Sequence, residues 1–286
     1  MLKRINWRAV LIGFTWVISL AAVITLMSFI EIKKVENTCN KVEIILPGNQ
    51  FFIEKAEIDQ LLNDNNGLLV GRRLANINIQ KLEDRLVANP FIEYAKVYFD
   101  MNGVIHAEIK QREPILRVLN YTGQDFYIDK NGLKIPLSDH FTARVLVANG
   151  AIMEGFNNKI DTLKTRIAKD LFATAKYIAQ DELWSEQIVQ IYVNSNNDME
   201  LVPRVGSQKI IFGNAEDLEN KFRNLLVFYK KAIPMVGWEA YSSINLKFKG
   251  QIVCVKRDST LNIKKEIPVL IDSASTNKEV QDSIKI

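Results

Sequence analysis

The chain has 286 residues, with 37 Lys and Arg against 33 Asp and Glu, so its net charge is only +4. A balance that even gives no electrostatic footprint for nucleic acid. Two cysteines (Cys39, Cys254) exclude a disulfide-rich framework, and two histidines (His106, His140) are too few for a histidine-rich metal site.

Residues 9–30, AVLIGFTWVISLAAVITLMSFI, form one apolar run without a charged side chain. At about 1.5 Å of rise per residue, such a run crosses a hydrocarbon core of about 30 Å, and only a helix pairs its backbone there. Lys3, Arg4 and Arg8 precede the run and Glu31 follows it. The charge bias leaves a tail at 1–8 in the cytoplasm and sends everything after the run outward. The alternative is a cleaved signal peptide with Ser19 and Ala21 as its small cleavage residues. Its apolar core is ordinarily about 7–15 residues, and this run continues well past Ala21. The expectation is a single-pass membrane protein with an outer body of roughly 250 residues in one or two domains.

Residues 31–41 are polar and read as a linker. Val42 to Leu46 reads as a strand, stopped by the Pro47-Gly48 turn signal. Two helical patterns follow. The first carries Ile53, Glu57 and Leu61; the second carries Ile79, Leu82 and Leu86, with Asn78 as N-cap and Pro90 beyond the end. Ala95, Val97 and Phe99 then alternate with Tyr94, Lys96 and Tyr98. After Asp100-Met101-Asn102-Gly103, Ile105, Ala107 and Ile109 alternate with His106, Glu108 and Lys110. The order β-α-α-β-β predicts two helices on one face of a three-stranded sheet, with His106 on the outer face.

From Glu113-Pro114 onward the pattern shifts to short strands. Phe126–Ile128 and Leu133–Ile135 flank the turn Asp129-Lys130-Asn131-Gly132, and Arg144–Ala148 is a further strand. A long amphipathic helix is expected through Ile160, Leu163, Ile167, Leu171, Ala175 and Ile178. Strands follow at 187–193, 199–202 and 209–212. Asn214 with Asp217 reads as a capping pair for a helix through Leu218, Phe222, Leu225 and Tyr229. Ile244–Phe248, a Lys249-Gly250 turn and Ile252–Lys256 close the folded part. The residues at 264–286 are polar and read as disordered.

The sequence has no Gly-x-Ser-x-Gly elbow, phosphate-binding glycine loop or His-Glu-x-x-His zinc motif. Glu54, Glu57 and Asp59 suit the solvated face of a helix. Asp125 and Asp129 suit a turn. No catalytic constellation, metal site or cofactor site is expected. The closing pair is more suggestive, because a sheet ending there can leave an open edge strand that accepts a partner strand. A hairpin covered by the protein's own helix fits the same pattern.

Asn89-Pro90-Phe91-Ile92, then Ala95-Lys96-Val97, the hairpin, and Ile109-Lys110-Gln111-Arg112-Glu113-Pro114 resemble the POTRA domain of the cell-division protein family FtsQ, also called DivIB. Tyr127 to Gly132 resembles the hairpin that opens that family's β domain. Gly213, Lys221 and the ending Ile244-Asn245-Leu246-Lys247-Phe248 are also similar to it. Two positions depart: Phe248 stands where the family usually has Tyr, and Gly250-Gln251-Ile252-Val253-Cys254 replaces a glycine-turn-aromatic ending.

The resemblance implies an α+β protein with a tail at 1–8, a single transmembrane helix at 9–30 and a linker at 31–41. A POTRA domain at 42–113 and a mixed β-sheet domain packed with helices at 114–263 would follow. It implies an inner-membrane protein with a cytoplasmic N-terminus and a periplasmic body. Its function would be that of a non-enzymatic divisome scaffold, binding FtsB-like and FtsL-like membrane proteins and regulating septal peptidoglycan synthesis. FtsB would add a strand along Ile244–Lys249. Leu246 and Phe248 would fill pockets, Lys247 would meet an acidic residue, and Lys249 and Ile252 would complete the contact. POTRA modules also serve secretion and outer-membrane assembly, but those chains carry a barrel, and no series of alternating segments of that kind follows here. A wall-modifying enzyme is the remaining rival.

Overall fold

The computed structural model describes residues 7–36, 38–48, 52–63 and 67–257, the side chains at 9, 10 and 28–36 excepted. Helix α1 (Trp7–Glu36) leads the chain, and its described side chains, including Leu11, Phe14, Trp16 and Leu20, are exposed on every side. Among the described residues no helix is long and apolar enough to cross a membrane. The continuous stretch of α1 with described side chains, 11–27, is seventeen residues, or about 26 Å at the helical rise. The ends of the expected span at 9–30 lie outside it. Most of the N-terminal tail and all of 264–286 lie outside the described residues.

The described backbone of the segment expected as a linker carries helix and hydrogen bonds. Helix α1 continues to Glu36, and the next residues are bonded to two loops. Thr38 bridges Arg73; Cys39 N donates to Arg72 O and Gly71 N to Cys39 O, both at 2.7 Å; Asn40 N donates to Gly103 O at 2.9 Å.

Strands β1 (Lys41–Ile45), β2 (Ile92–Phe99) and β3 (Val104–Gln111) form a sheet of order β1-β3-β2, with β1 parallel to β3 and β2 antiparallel to it. Helices α2 (Lys55–Leu62) and α3 (Ile79–Val87) lie between β1 and β2 in the chain and cover one face. Leu82 and Leu86 of α3 pack on Ala95, Val97, Ile105, Ala107 and Ile109, as the spacing predicts. Asn78 caps α3, its Oδ1 accepting from Lys81 N at 3.0 Å. In α2 the buried face is Ile58 and Leu62 instead of the Ile53-Glu57-Leu61 stripe, because Ile53 precedes the helix. His106 is on the outer face but only half-exposed. It stacks on Tyr98, with Glu43 and Asp100 each 3.5 Å from a ring nitrogen.

The second sheet has ten strands. Its first part comprises β4 (Pro114–Val118), β5 (Phe126–Asp129), β6 (Leu133–Ile135), β7 (Leu146–Gly150) and β8 (Asp161–Thr162). Helices α4 (Arg166–Gln180) and α5 (Glu182–Gln187) lead into β9 (Ile188–Val193), β10 (Met199–Pro203) and β11 (Lys209–Gly213). Helices α6 (Leu218–Lys231) and α7 (Ile233–Val236) lead into β12 (Tyr241–Asn245) and β13 (Val253–Lys256). The order is β13-β12-β11-β10-β9-β7-β4-β5-β6-β8. Leu171 and Ala175 of α4, with Phe222 and Leu225 of α6, pack on Leu116, Ile191, Leu201, Phe212 and Ile244, so the helices share one face of the sheet.

Helix α4 starts at Arg166, later than its apolar pattern: Ile160 and Leu163 precede it, around β8. Thr165 caps it, and the distant Glu154 carboxylate accepts from Lys164 N and Thr165 N, filling the start of the helix. Asn214 and Asp217 do not form the expected capping box. Asp217 takes a left-handed φ of 55° and bonds Asn220, while Asn214 accepts from Glu216 N.

The two sheets meet around Phe52. Its ring packs on Phe91, Tyr127 and Phe141, while Arg112 reaches Asp129 at 2.9 Å.

Candidate partner-binding edge of the C-terminal sheet

Strand β12 is held from both sides. Ile210 pairs with Ile244 in parallel, and Ile244 pairs with Cys254 in antiparallel register. Ile244 and Asn245 of the expected edge are therefore interior, and among the described residues the outer strand is β13. Strand β12 ends at Asn245 because its Oδ1 accepts from Lys247 N at 2.9 Å, an Asx turn that takes the chain out of the ladder. The chain then reverses through Gly250, at φ +75°.

The five expected contact residues separate accordingly. Leu246 is 3% exposed and belongs to the core, its N–H donating to Ile211 O. Phe248 is 48% exposed, and Lys249 beside it is exposed too. Lys247 Nζ lies 2.6 Å from Asp198 Oδ2, so its acidic partner belongs to the same chain. Ile252 is half-buried against the core. Lys247, Phe248 and Lys249 together border a cavity of about 480 Å³ with Asn214, Asp217 and Lys221.

The floor of that turn is built by β11 and α6. Lys221 Nζ donates to Phe212 O at 3.0 Å and Asn214 O at 2.9 Å, and its burial lowers its pKa. Gly213, at φ +80°, leaves room for the Lys247 stem: a Cβ there would stand 3.0 Å from Lys247 Cγ.

Among the described residues, strand β13 is outermost at this end of the sheet. Val253 and Val255 are exposed, at 43% and 57%, while Cys254 turns toward the core. Burial raises the Cys254 pKa. After Lys256, Arg257 N donates to Ala240 O, and the Arg257 guanidinium pairs with Glu239. The sequence reading missed Val253, Cys254 and Val255 as the edge. Their nearly unbroken apolar run was visible, but its place outside β12 was not.

The comparisons agree with this architecture. Residues 27–110 match the family model described as a POTRA-like domain, and residues 113–255 match the model described as FtsQ/DivIB, C-terminal related. The chain belongs to the FtsQ/DivIB-related family. No curated protein matches it. The three-stranded sheet with α2 and α3 is the POTRA-like part of this FtsQ/DivIB-related protein, and the ten-stranded sheet is its C-terminal part. Membership makes it a cell-division protein, in families whose members are generally non-enzymatic scaffolds.

Proposed function

We propose that this chain is a membrane-anchored, non-catalytic divisome scaffold, and that the outer edge of β13 takes a strand from an FtsB-like protein acting with an FtsL-like one. The observation that carries this reading is the open edge itself. Its main-chain groups have a bonded neighbour on one side only among the described residues, and Val253 and Val255 stand exposed beside them. Added main-chain bonds give affinity there, and the two valines with Phe248 give specificity. The apolar, all-round exposed face of α1 and the basic residues before it favour a span with the sheets outside the cytoplasm. Through this contact the chain recruits and regulates septal peptidoglycan synthesis, with no cofactor and no nucleic acid.

The test is capture of FtsB-like and FtsL-like proteins by the full chain from cross-linked dividing cells. Replacing Val253 and Val255 together by Lys is expected to cut capture about tenfold, or ~1.4 kcal/mol. Thermal melting should stay close to wild type, since both side chains are exposed. Equal capture by both proteins overturns the site. Capture of neither partner by the wild-type chain overturns the function.

A further inference from the structure

Two loops flank the point where α1 hands the chain to β1, and both turn apolar side chains outward. In the first, Leu68 is 69% exposed and Val70 is exposed too, while Leu69 between them is buried in the core. In the second, Met101 tops the Asp100–Gly103 turn at 94% exposure, close to the exposed ring of Phe99. Leu69 alone serves the core, so packing gives no account of its neighbours.

The two loops are held at one place. Cys39 is bonded to Gly71 and Arg72, and Asn40 to Gly103 and, through its side chain at 2.7 Å, to Asn102. Lys41 stands opposite Val104 in the parallel ladder, so the turn before β3 projects at the end of the sheet where the chain enters β1. The short helix Leu74–Asn76 approaches α1. The first loop also carries Arg72 and Arg73. Arg73 is exposed, and Arg72 Nη2 donates to Gly67 O at 3.0 Å. Among the described residues neither guanidinium pairs with a carboxylate.

We propose that this end of the domain docks on an anionic phospholipid bilayer. Leu68, Val70 and Met101 enter the headgroup layer, and Arg72 and Arg73 meet lipid phosphates. The proposal rests on reading α1 as a membrane span. On that reading, α1 runs six residues past the apolar stretch ending at Ile30, about 9 Å of helix, and the headgroup layer is about 5–8 Å deep on each side. The loops beside Thr38–Asn40 then stand at the lipid surface. Exposed apolar side chains next to arginines without acidic partners combine apolar insertion with attraction to anionic lipid. The exposure of Met101 marks a protruding tip, which suits insertion between headgroups better than packing on a second protein. Loops distant in sequence but bonded to one three-residue segment make a single footprint.

The full chain is reconstituted in vesicles of phosphatidylcholine and phosphatidylglycerol, and lipid adducts are located by peptide mapping after illumination. One photoreactive phospholipid carries its diazirine at the headgroup, the other at the acyl-chain end. The acyl-chain reagent is expected to label 11–27. The headgroup reagent is expected to label 67–73 and 99–103 at least roughly tenfold more than the peptide of the comparably exposed Met235. In phosphatidylcholine alone, or in high salt, that excess should shrink several-fold. Leu68→Asp with Met101→Asp should bring the loops down to the Met235 level, with melting close to wild type because both side chains are exposed.

Labelled 11–27 with loops no better labelled than Met235 overturns the docking and leaves the anchor standing. Loop labelling without labelling of 11–27 keeps the docking and overturns the anchor; if neither labels, both fall. Labelling that neutral lipid and the paired Asp substitutions leave unchanged reports mere proximity and overturns the docked footprint. In dividing cells, Met101 replaced by its diazirine analogue should take up phospholipid, and capture of an FtsL-like protein alone overturns the lipid contact.

Discussion

Lys134 Nζ lies 2.7 Å from Glu154 Oε1, and neither side chain has any exposed surface. The pair ties β6 to the loop before β8. The same carboxylate accepts from Lys164 N, Thr165 N and Thr165 Oγ1, and Lys134 also donates to Gly155 O. Removing Glu154 leaves the buried Lys134 charge with only Asp161, 3.5 Å away and partly exposed, as counter-ion. Glu154→Ala should therefore cost about 3–5 kcal/mol of stability, measured by denaturant melting of the full chain. A loss below about 1 kcal/mol would show that the pair is replaceable by water.

Glu154 also predicts a pH dependence. Burial alone would raise its pKa, but the bonds from Lys134, Thr165 and Lys164 outweigh it, and the net shift is downward. A group with a depressed folded-state pKa stabilises the fold fully above its unfolded value, about 4.3, and loses that stabilisation as pH falls through the folded value. The melting temperature of wild type should fall below about pH 4 more steeply than that of Glu154→Gln. Parallel curves would contradict this.

Gly103 takes φ +80°, and a Cβ there would stand 2.5 Å from Thr38 O. Gly103→Val thus meets backbone strain, of order 1–3 kcal/mol, together with a clash against main chain that cannot yield like a flexible side chain. Melting should fall, and exchange at 38–40 should rise even where the rest of the fold survives. Unchanged exchange there would place the strain elsewhere.

Arg112 and Asp129 join the two sheets with 9% and 1% of their side-chain surface exposed. Arg112→Ala should destabilise by about 3–5 kcal/mol, because Asp129 stays buried. Arg112→Lys should recover only part of this, since an ammonium lacks the planar guanidinium fork. Full recovery by Lys would reduce the contact to simple charge.

Leu246 and Phe248 should behave as opposites. Leu246→Ala removes core volume and should cost about 2–5 kcal/mol. Phe248→Ala should melt within about 0.5 kcal/mol of wild type yet bind an FtsB-like partner more weakly. A Phe248 variant that loses stability and keeps its binding would remove that ring from the interface.

Local chemistry made much of the fold legible. Asn78 and the Leu82–Leu86 spacing gave α3, the Asn102-Gly103 turn gave the β2–β3 hairpin, and alternation gave β9 to β11. What stayed hidden depended on distant partners. Helix α4 begins at Arg166 because Glu154, twelve residues upstream, supplies acceptors that no helical periodicity records. The edge was hidden for a similar reason. Strand β12 reaches β11 by a parallel crossover through α6, so Ile244 and Asn245 become interior and, among the described residues, β13 becomes outermost. One Asx turn at Asn245 then takes the chain out of the strand, so Leu246 enters the core while Phe248 stands exposed.

The sutures at Thr38, Cys39 and Asn40 have a mechanical consequence. Only the residue at 37 separates the end of α1 from a segment bonded to the loops at 71–73 and at 102–103. A displacement of α1 would act on the β2–β3 hairpin through the bonds of Asn40 to Gly103 O and Asn102 O. If α1 lies in a bilayer, the distant β13 edge is then presented at a height and heading set by the lipid-embedded helix, like the arm of a signal post turned from its base.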